Sequence, residues 1–392
     1  MIALTALLAQ HFPHADITAL QSASENGDEE THDALVRGFF STWKTSLLGS
    51  DLQSLRDLSQ HQELSKFVTT IHIQDDWEVN DPGPMVAGPD AGPPAGAIHI
   101  WPRDEERNVK SGDIGIAELR DMLINRKFRP EIIKIRDFHG GNIACDPGPC
   151  ATLVKDLLDG AGMAVKSFEF KRDTNSYGAL EILFTFYPED QGRDVGLARL
   201  QSAQFILTRN VKSYWQERIL RAANPIDLTI AHAKPSPDAD APFVAGMSAP
   251  KLASLNLVRQ GVSSKAVVRL IANSQTCLKS ITFHMVTLTD STSWCSLLSQ
   301  IAQDCGSLSS FNLSLLRTAS RETPSVKFRI SKESVVEQDR NSLKITEKGP
   351  KHQRRVSAVR YNGPNVANVL QVVAESVVNW GYVPGTWDLI HE

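Results

Sequence analysis

The sequence predicts an α/β fold, a solenoid of strand-and-helix units with parallel strands on one side and helices on the other. Three observations predict it. A short apolar pattern, L-x-x-L-x-L, recurs along the chain at nearly constant spacing. The segments between its copies carry apolar residues at helical period. The strand segments themselves alternate apolar with polar residues, the pattern of a sheet with one solvated face.

The clearest copies are Leu252-x-x-Leu255-x-Leu257, Leu278-x-x-Ile281-x-Phe283 and Leu308-x-x-Phe311-x-Leu313, spaced by 26 and then 30 residues. That interval lies close to the period of about 20–29 residues of leucine-rich repeats, so the solenoid is read as leucine-rich-repeat-like. Weaker copies are Pro225-x-x-Leu228-x-Ile230, Leu200-x-x-Ala203-x-Phe205, Val165-x-x-Phe168-x-Phe170, Pro130-x-x-Ile133-x-Ile135 and Val68-x-x-Ile71-x-Ile73. The central residues Ile71, Ile133, Phe168, Ala203, Leu228, Leu255, Ile281 and Phe311 are separated by 62, 35, 35, 25, 27, 26 and 30 residues. Only the first interval is anomalous. It contains Asp81-Pro82-Gly83-Pro84 and Gly92-Pro93-Pro94-Ala95-Gly96, and residues 78–113 are therefore expected to form an irregular loop.

The clearest helix holds Trp294, Leu297, Leu298, Ile301, Ala302 and Cys305 on one face, with Gly306 placed for a left-handed C-cap. Val267, Leu270 and Ile271 follow a candidate N-cap at Ser263 or Ser264. Similar stripes are Ile219 with Tyr214 and Trp215, and Ile116 with Leu119, Met122 and Leu123. A doubly wound sheet also alternates strands and helices, but near-constant spacing disfavours it. So do the polar residues Ser254, Asn256, Ser280, Thr282, Ser310 and Asn312 between the apolar ones, since doubly wound strands are apolar on both faces. The expected arrangement is one parallel sheet in chain order.

Three regions follow. Residues 1–65 read as an N-terminal helical cap, residues 66–320 as the solenoid, and residues 321–392 as a strand-helix cap that closes the open core. In the last, Val326-Phe328-Ile330, Leu343-Ile345 and Val356-Val359-Tyr361 suggest strands around a basic loop, Lys348 to Arg355. A final helix is expected with Val366, Val369, Leu370, Val373 and Val377 on one face.

With 392 residues, 41% hydrophobic and 22% charged, the chain has the makings of a folded core. A formal charge of -4 supplies no global basic field, so neither nucleic acid nor a membrane is expected as a partner. Five cysteines, an odd and small number, argue against a disulfide framework. The apolar start, Met1 to Ala9, lacks a basic leader and reads as a short helix, and no apolar stretch approaches the roughly 20 residues of a membrane span. The expected location is cytoplasmic or nuclear.

These repeats, with Leu52-Gln-Ser-Leu55-Arg-Asp-Leu58, Leu64-Ser-Lys-Phe67-Val68 and Ile100-Trp101-Pro102-Arg103, resemble the divergent fungal F-box proteins with leucine-rich-repeat-like bodies. The resemblance covers roughly residues 40–320. It implies a substrate receptor of a Skp-cullin-F-box ubiquitin ligase: an N-terminal F-box that holds the Skp adaptor, and a repeat body that recruits substrate. An F-box opens with a Leu-Pro pair, and residues 1–45 contain none, so the F-box is read as degenerate or absent.

Candidate chemistry is sparse. His139-Gly140-Gly141 has the form of an esterase oxyanion loop, but no G-x-S-x-G nucleophile elbow accompanies it, which leaves a glycine turn. Cys145-x4-Cys150 with His139 offers three zinc ligands and no nearby fourth. Gly160-Ala161-Gly162 follows a helical stripe, the reverse of a phosphate loop, and reads as a C-cap. His11-x-x-His14 spans Pro13 and lacks a protease glutamate. Cys277, Cys295 and Cys305 read as packed, inert thiols. The basic loop at 348–355 reads as a solvated hairpin tip, with contact to an acidic partner as the alternative. Asn312-Leu313-Ser314 lies on an expected strand and carries no weight as a glycosylation acceptor.

The sequence therefore reads as a non-enzymatic protein-binding scaffold with no catalytic, cofactor or metal site. Its expected partner-facing residues are Lys134, Arg136, Glu169, Asn256, Thr282 and Asn312, each flanked by core positions on a strand. The alternatives are a hydrolase or metal enzyme using the His139–Cys150 region, and a vestigial repeat protein with a structural role only.

Overall fold

The structure is a computed structural model that describes residues 29–46, 49–74, 130–138, 165–173, 180–187, 196–207, 219–232, 247–319, 325–348 and 355–380, with a few isolated positions between them. They belong to two compact units, Met1–Asn175 with Phe186–Gly196, and Ser176–Thr185 with Leu197–Glu392. The chain is α/β, with mostly parallel sheet pairing. No helix among the described residues is long and apolar enough to cross a membrane. The expected loop 78–113 and the His139–Cys150 region lie outside the described residues.

The first unit begins with α1 (Glu29–Phe40), whose first turn is acidic and whose last turn carries Arg37, charges that complement the helix dipole. Helices α2 (Gly49–Gln60) and α3 (Gln62–Ser65) bury Leu55, Leu58 and Leu64. Four strands follow one another in parallel pairs: β1 (Thr42–Ser46), β2 (Thr70–Gln74), β3 (Ile132–Phe138) and β4 (Ser167–Asp173). The registers align Trp43, Ile71, Ile133 and Phe168 in one buried row and Thr45, Ile73, Ile135 and Phe170 in the next. Strand β1 was not foreseen, because it offers only Trp43 as a large apolar residue. Trp43 earns its place by stacking on Phe40, with ring centroids 6.0 Å apart.

In the second unit β6 (Leu200–Leu207), β7 (Ile226–His232), β8 (Leu252–Val258), β10 (Ser280–His284) and β12 (Ser310–Ser314) pair in parallel and in chain order. The pattern's central residues meet in register, Ala203 to Leu228 to Leu255 to Ile281 to Phe311. Its last residues do the same, Phe205 to Ile230 to Leu257 to Phe283 to Leu313, and both rows are buried. An unforeseen strand, β5 (Leu180–Phe186), falls in the 35-residue step before Ala203. It lies against β6, where Phe184 meets Phe205 edge-on at 5.9 Å and the Thr185 and Ser202 hydroxyls are 2.6 Å apart.

Each of the last three parallel strands ends in a left-handed residue, Arg259, Met285 and Leu315, and then a second two-residue strand. These short strands, β9 (Gly261–Val262), β11 (Thr287–Leu288) and β13 (Arg317–Thr318), pair in parallel with one another. A helix follows the first two. Helix α4 (Ser264–Ile271) is capped by Ser263, which accepts from the amide of Ala266, and α5 (Trp294–Asp304) by Ser293, which accepts from that of Ser296. The apolar stripe of α5 is buried, and Trp294 packs on Phe283 at 5.8 Å. Its indole N–H also donates to the carbonyl of Arg317, tying this helix to the following unit. Gly306 is not left-handed; α5 ends at Cys305, with φ -105°, and the amide of Leu308 returns to the Cys305 carbonyl.

The C-terminal part reverses direction. Strand β16 (Arg355–Asn362) pairs antiparallel with β12 and with β15 (Leu343–Lys348). Strand β14 (Ser325–Phe328) pairs antiparallel with β16 and with β17 (Val377–Trp380). Helix α6 (Val366–Glu375) buries Val366, Val369, Leu370 and Val373, while Val377, expected on that helix, belongs to β17. Tyr361 stacks on Phe311 at 5.9 Å and donates to the buried carboxylate of Asp339 at 2.6 Å. Burial, then that hydrogen bond, push the Tyr361 phenol up to about 12. Gly363 is required here, since a Cβ on it would fall 2.5 Å from the Tyr361 oxygen.

Candidate functional site

Because successive side chains of a strand point to opposite faces, burying the two apolar rows turns the intervening residues to the other side of the sheet. In the second unit this gives two polar rows. One aligns Ser202, Asp227, Ser254, Ser280, Ser310 and Asn362. The other aligns Gln204, Thr229, Asn256, Thr282, Asn312 and Arg360. Three of the expected partner-facing residues, Asn256, Thr282 and Asn312, are thus direct cross-strand neighbours, and all three are half-buried.

Hydrogen bonds run between strands on this face. Ser254 donates to Asp227 at 2.6 Å, Ser310 to Ser280 at 3.0 Å, and His284 Nδ1 meets the Ser314 hydroxyl at 2.7 Å. Asn256 is the exception. Its Nδ2 reaches Thr229 only at 3.5 Å, and its Oδ1 is buried with no hydrogen-bond partner. A buried amide oxygen without a donor is costly.

The corresponding face of the first unit is charged. One row aligns Lys44, His72, Lys134 and Glu169, and Arg136 and Lys171 pair in the next. Lys134 and Glu169, expected to face a partner, form an ion pair at 2.9 Å with both side chains substantially exposed. Arg136 lies two residues beyond Lys134 and shares its face. His72, which the sequence reading passed over, sits among these cations. Burial first, then Lys44, Lys134 and Arg136, hold its pKa below the ordinary 6.5, against a smaller opposing effect of Glu169. The alternation Ile71-His72-Ile73 already carried the signal that this imidazole faces the same way as Lys134.

Among the described residues, the Cys305 thiol is packed in the core. Burial, then Asp304 and Cys277, push the Cys305 thiol up to about 11, far from a reactive thiolate. Cys277 is half-buried and its Sγ donates to the Leu252 carbonyl at 3.3 Å. Among the described residues no group of three or more His, Cys, Asp or Glu side chains is placed to hold a metal ion. Comparison with protein-family models, with curated proteins and with solved structures finds no match to the chain.

Proposed function

We propose that the chain is a non-enzymatic protein-binding scaffold, a leucine-rich-repeat-like solenoid whose polar strand face holds a partner. The observation that carries this reading is the in-register row of half-buried Asn256, Thr282 and Asn312, set opposite a continuous apolar core. A regular surface of short polar side chains on rigid strands loses little conformational entropy when a partner settles on it. The resemblance to F-box proteins names the Skp adaptor as the protein to try first, with a cytoplasmic or nuclear location.

Two measurements test the reading. Purified Skp adaptor is titrated against the full chain, where binding supports the ligase version and no binding removes it. Native pull-downs then compare the wild type with an Asn256→Arg, Thr282→Arg, Asn312→Arg variant. The scaffold reading expects a stoichiometric partner that the variant loses while its circular dichroism is unchanged. A partner retained in full by the folded variant would count against this face as the binding surface.

A further inference from the structure

In the first unit one row crosses four strands, with Lys44 on β1, His72 on β2, Lys134 on β3 and Glu169 on β4. The residues before them, Trp43, Ile71, Ile133 and Phe168, are buried, which turns the row to the face opposite the core. Parallel strands lie about 4.8 Å apart, so the two lysines stand roughly 10 Å apart at the backbone, with the imidazole between them. Lys44 is exposed, and the Lys134–Glu169 ion pair at 2.9 Å is open to solvent on both sides. An exposed pair contributes little, so Lys134 can exchange Glu169 for another carboxylate at small cost. At His72 the effects of Lys44, Lys134 and Arg136 each rank above that of Glu169, so the middle of the row lies in a net positive field with that carboxylate included. Arg136 and Lys171, in the next row, have interactions of their own, and the site is built on Lys44, His72 and Lys134.

We propose that this row binds an acidic segment of a partner protein, with Lys44 and Lys134 each taking a carboxylate and the imidazole of His72 donating to one of them. The spacing selects the ligand. Alternate side chains of an extended segment project to the same side about 7 Å apart, a distance that two flexible lysine side chains can match. A row two strand spacings wide, in a chain of formal charge -4, is too short to track the several phosphates on which nucleic-acid binding depends. A carboxylate beside His72 favours its protonated form, so binding takes up a proton. The row stands on other strands than those that carry Asn256, Thr282 and Asn312, and it holds or fails independently of that surface.

Calorimetric titration of the full-length chain tests it, with a short peptide of alternating glutamate and serine, its counterpart with glutamine in place of glutamate, and a short single-stranded thymidine oligonucleotide, all at matched ionic strength. Saturable binding of the glutamate peptide alone is expected. Lys44→Gln and Lys134→Gln should each weaken it by about threefold to tenfold, whereas Glu169→Gln, which releases Lys134, should strengthen it. Affinity should rise between about pH 7 and pH 5.5, where glutamate stays ionised, and the rise should disappear in His72→Gln. Thermal melting establishes that each variant is folded. No saturable binding of the glutamate peptide up to about 1 mM would overturn the proposal, as would equal binding of its glutamine counterpart or tighter binding of the oligonucleotide. Wild-type affinity in folded Lys44→Gln and Lys134→Gln, or weaker binding in folded Glu169→Gln, would overturn it as well.

Discussion

Arg259 and Met285 occupy the same place in successive strand-helix units and hold the same left-handed backbone angle, φ 55° in each. Leu315 repeats it in the next unit at φ 53°. Each amide donates across to a neighbouring strand, Arg259 to the His284 carbonyl at 2.8 Å, Met285 to that of Ser314 at 2.9 Å and Leu315 to that of Ser357 at 3.0 Å. The bend and the hydrogen bond recur together, and they redirect the chain from the long strand into the short one.

A left-handed conformation costs an L-residue roughly 1–2 kcal/mol, and more for a β-branched side chain. Met285→Val should therefore lower the unfolding free energy by about 1–2 kcal/mol. Met285→Gly should change it by less than about 1 kcal/mol, since relief of strain is offset by a more disordered unfolded chain. Urea titrations of the two variants separate these outcomes, and equal effects would mean that the lost methionine contacts outweigh the backbone angle.

Gln260 follows Arg259 as Val286 follows Met285 and Leu316 follows Leu315, and all three are buried. Only Gln260 brings polar atoms to that position, and its Oε1 has no hydrogen-bond partner. Gln260→Leu should raise stability by about 1–2 kcal/mol by removing an unsatisfied buried acceptor. A lower melting temperature in this variant would contradict the account.

Ser274 is fully buried and joins two chain segments, donating to the Pro250 carbonyl at 3.0 Å and accepting from the Leu252 amide at 2.8 Å. Ser274→Ala leaves both backbone groups without that partner and should cost about 1–3 kcal/mol. Amide exchange at Leu252 should accelerate in the variant, which a loss of packing alone would not single out.

Replacing Phe283, fully buried against Trp294, is the test of the shared core. Phe283→Ala should cost about 3–5 kcal/mol through the cavity it leaves. Trp294 fluorescence should shift to the red in the same variant as water reaches the indole.

His72 and His232 both have pKa values held below 6.5, His72 by burial and then the nearby cations, His232 by burial. A base whose folded pKa is depressed takes up its proton more readily in the unfolded chain. Below 6.5 the unfolded state thus binds more protons, and stability falls as pH falls from there through the folded values. Urea midpoints should drop between about pH 7 and pH 5, with a shallower slope in His72→Gln and in His232→Asn. Salt should reduce the His72 share, because its cationic neighbours are partly exposed.

The strands that carry the L-x-x-L-x-L pattern were legible because their apolar period of two and their spacing come from one requirement, a row of side chains meeting in register. The helix from Trp294 was legible for the same kind of reason, with four large residues, Trp294, Leu297, Leu298 and Ile301, on one face. Strand β1 was not, since Trp43 and Thr45 alone do not make a pattern. Strand β5 carries clear alternation in Ile182, Phe184 and Phe186 but falls outside the repeat period, which hides it from the repeat pattern. The left-handed residues were hidden because Arg, Met and Leu lack the signature that Gly or Asn would give. The polar rows followed from alternation alone.

Strand β16 runs against β12 and occupies its outer edge along the whole of Ser310–Ser314. A chain cut short before Arg355 would leave that edge bare, with its unpaired amides and carbonyls in line and Phe311 and Leu313 no longer covered by Tyr361 and Val359. Such an edge is a template on which a strand of another molecule can add. The C-terminal reversal therefore acts as a guard on that edge, keeping the backbone groups of Ser310–Ser314 occupied within one chain.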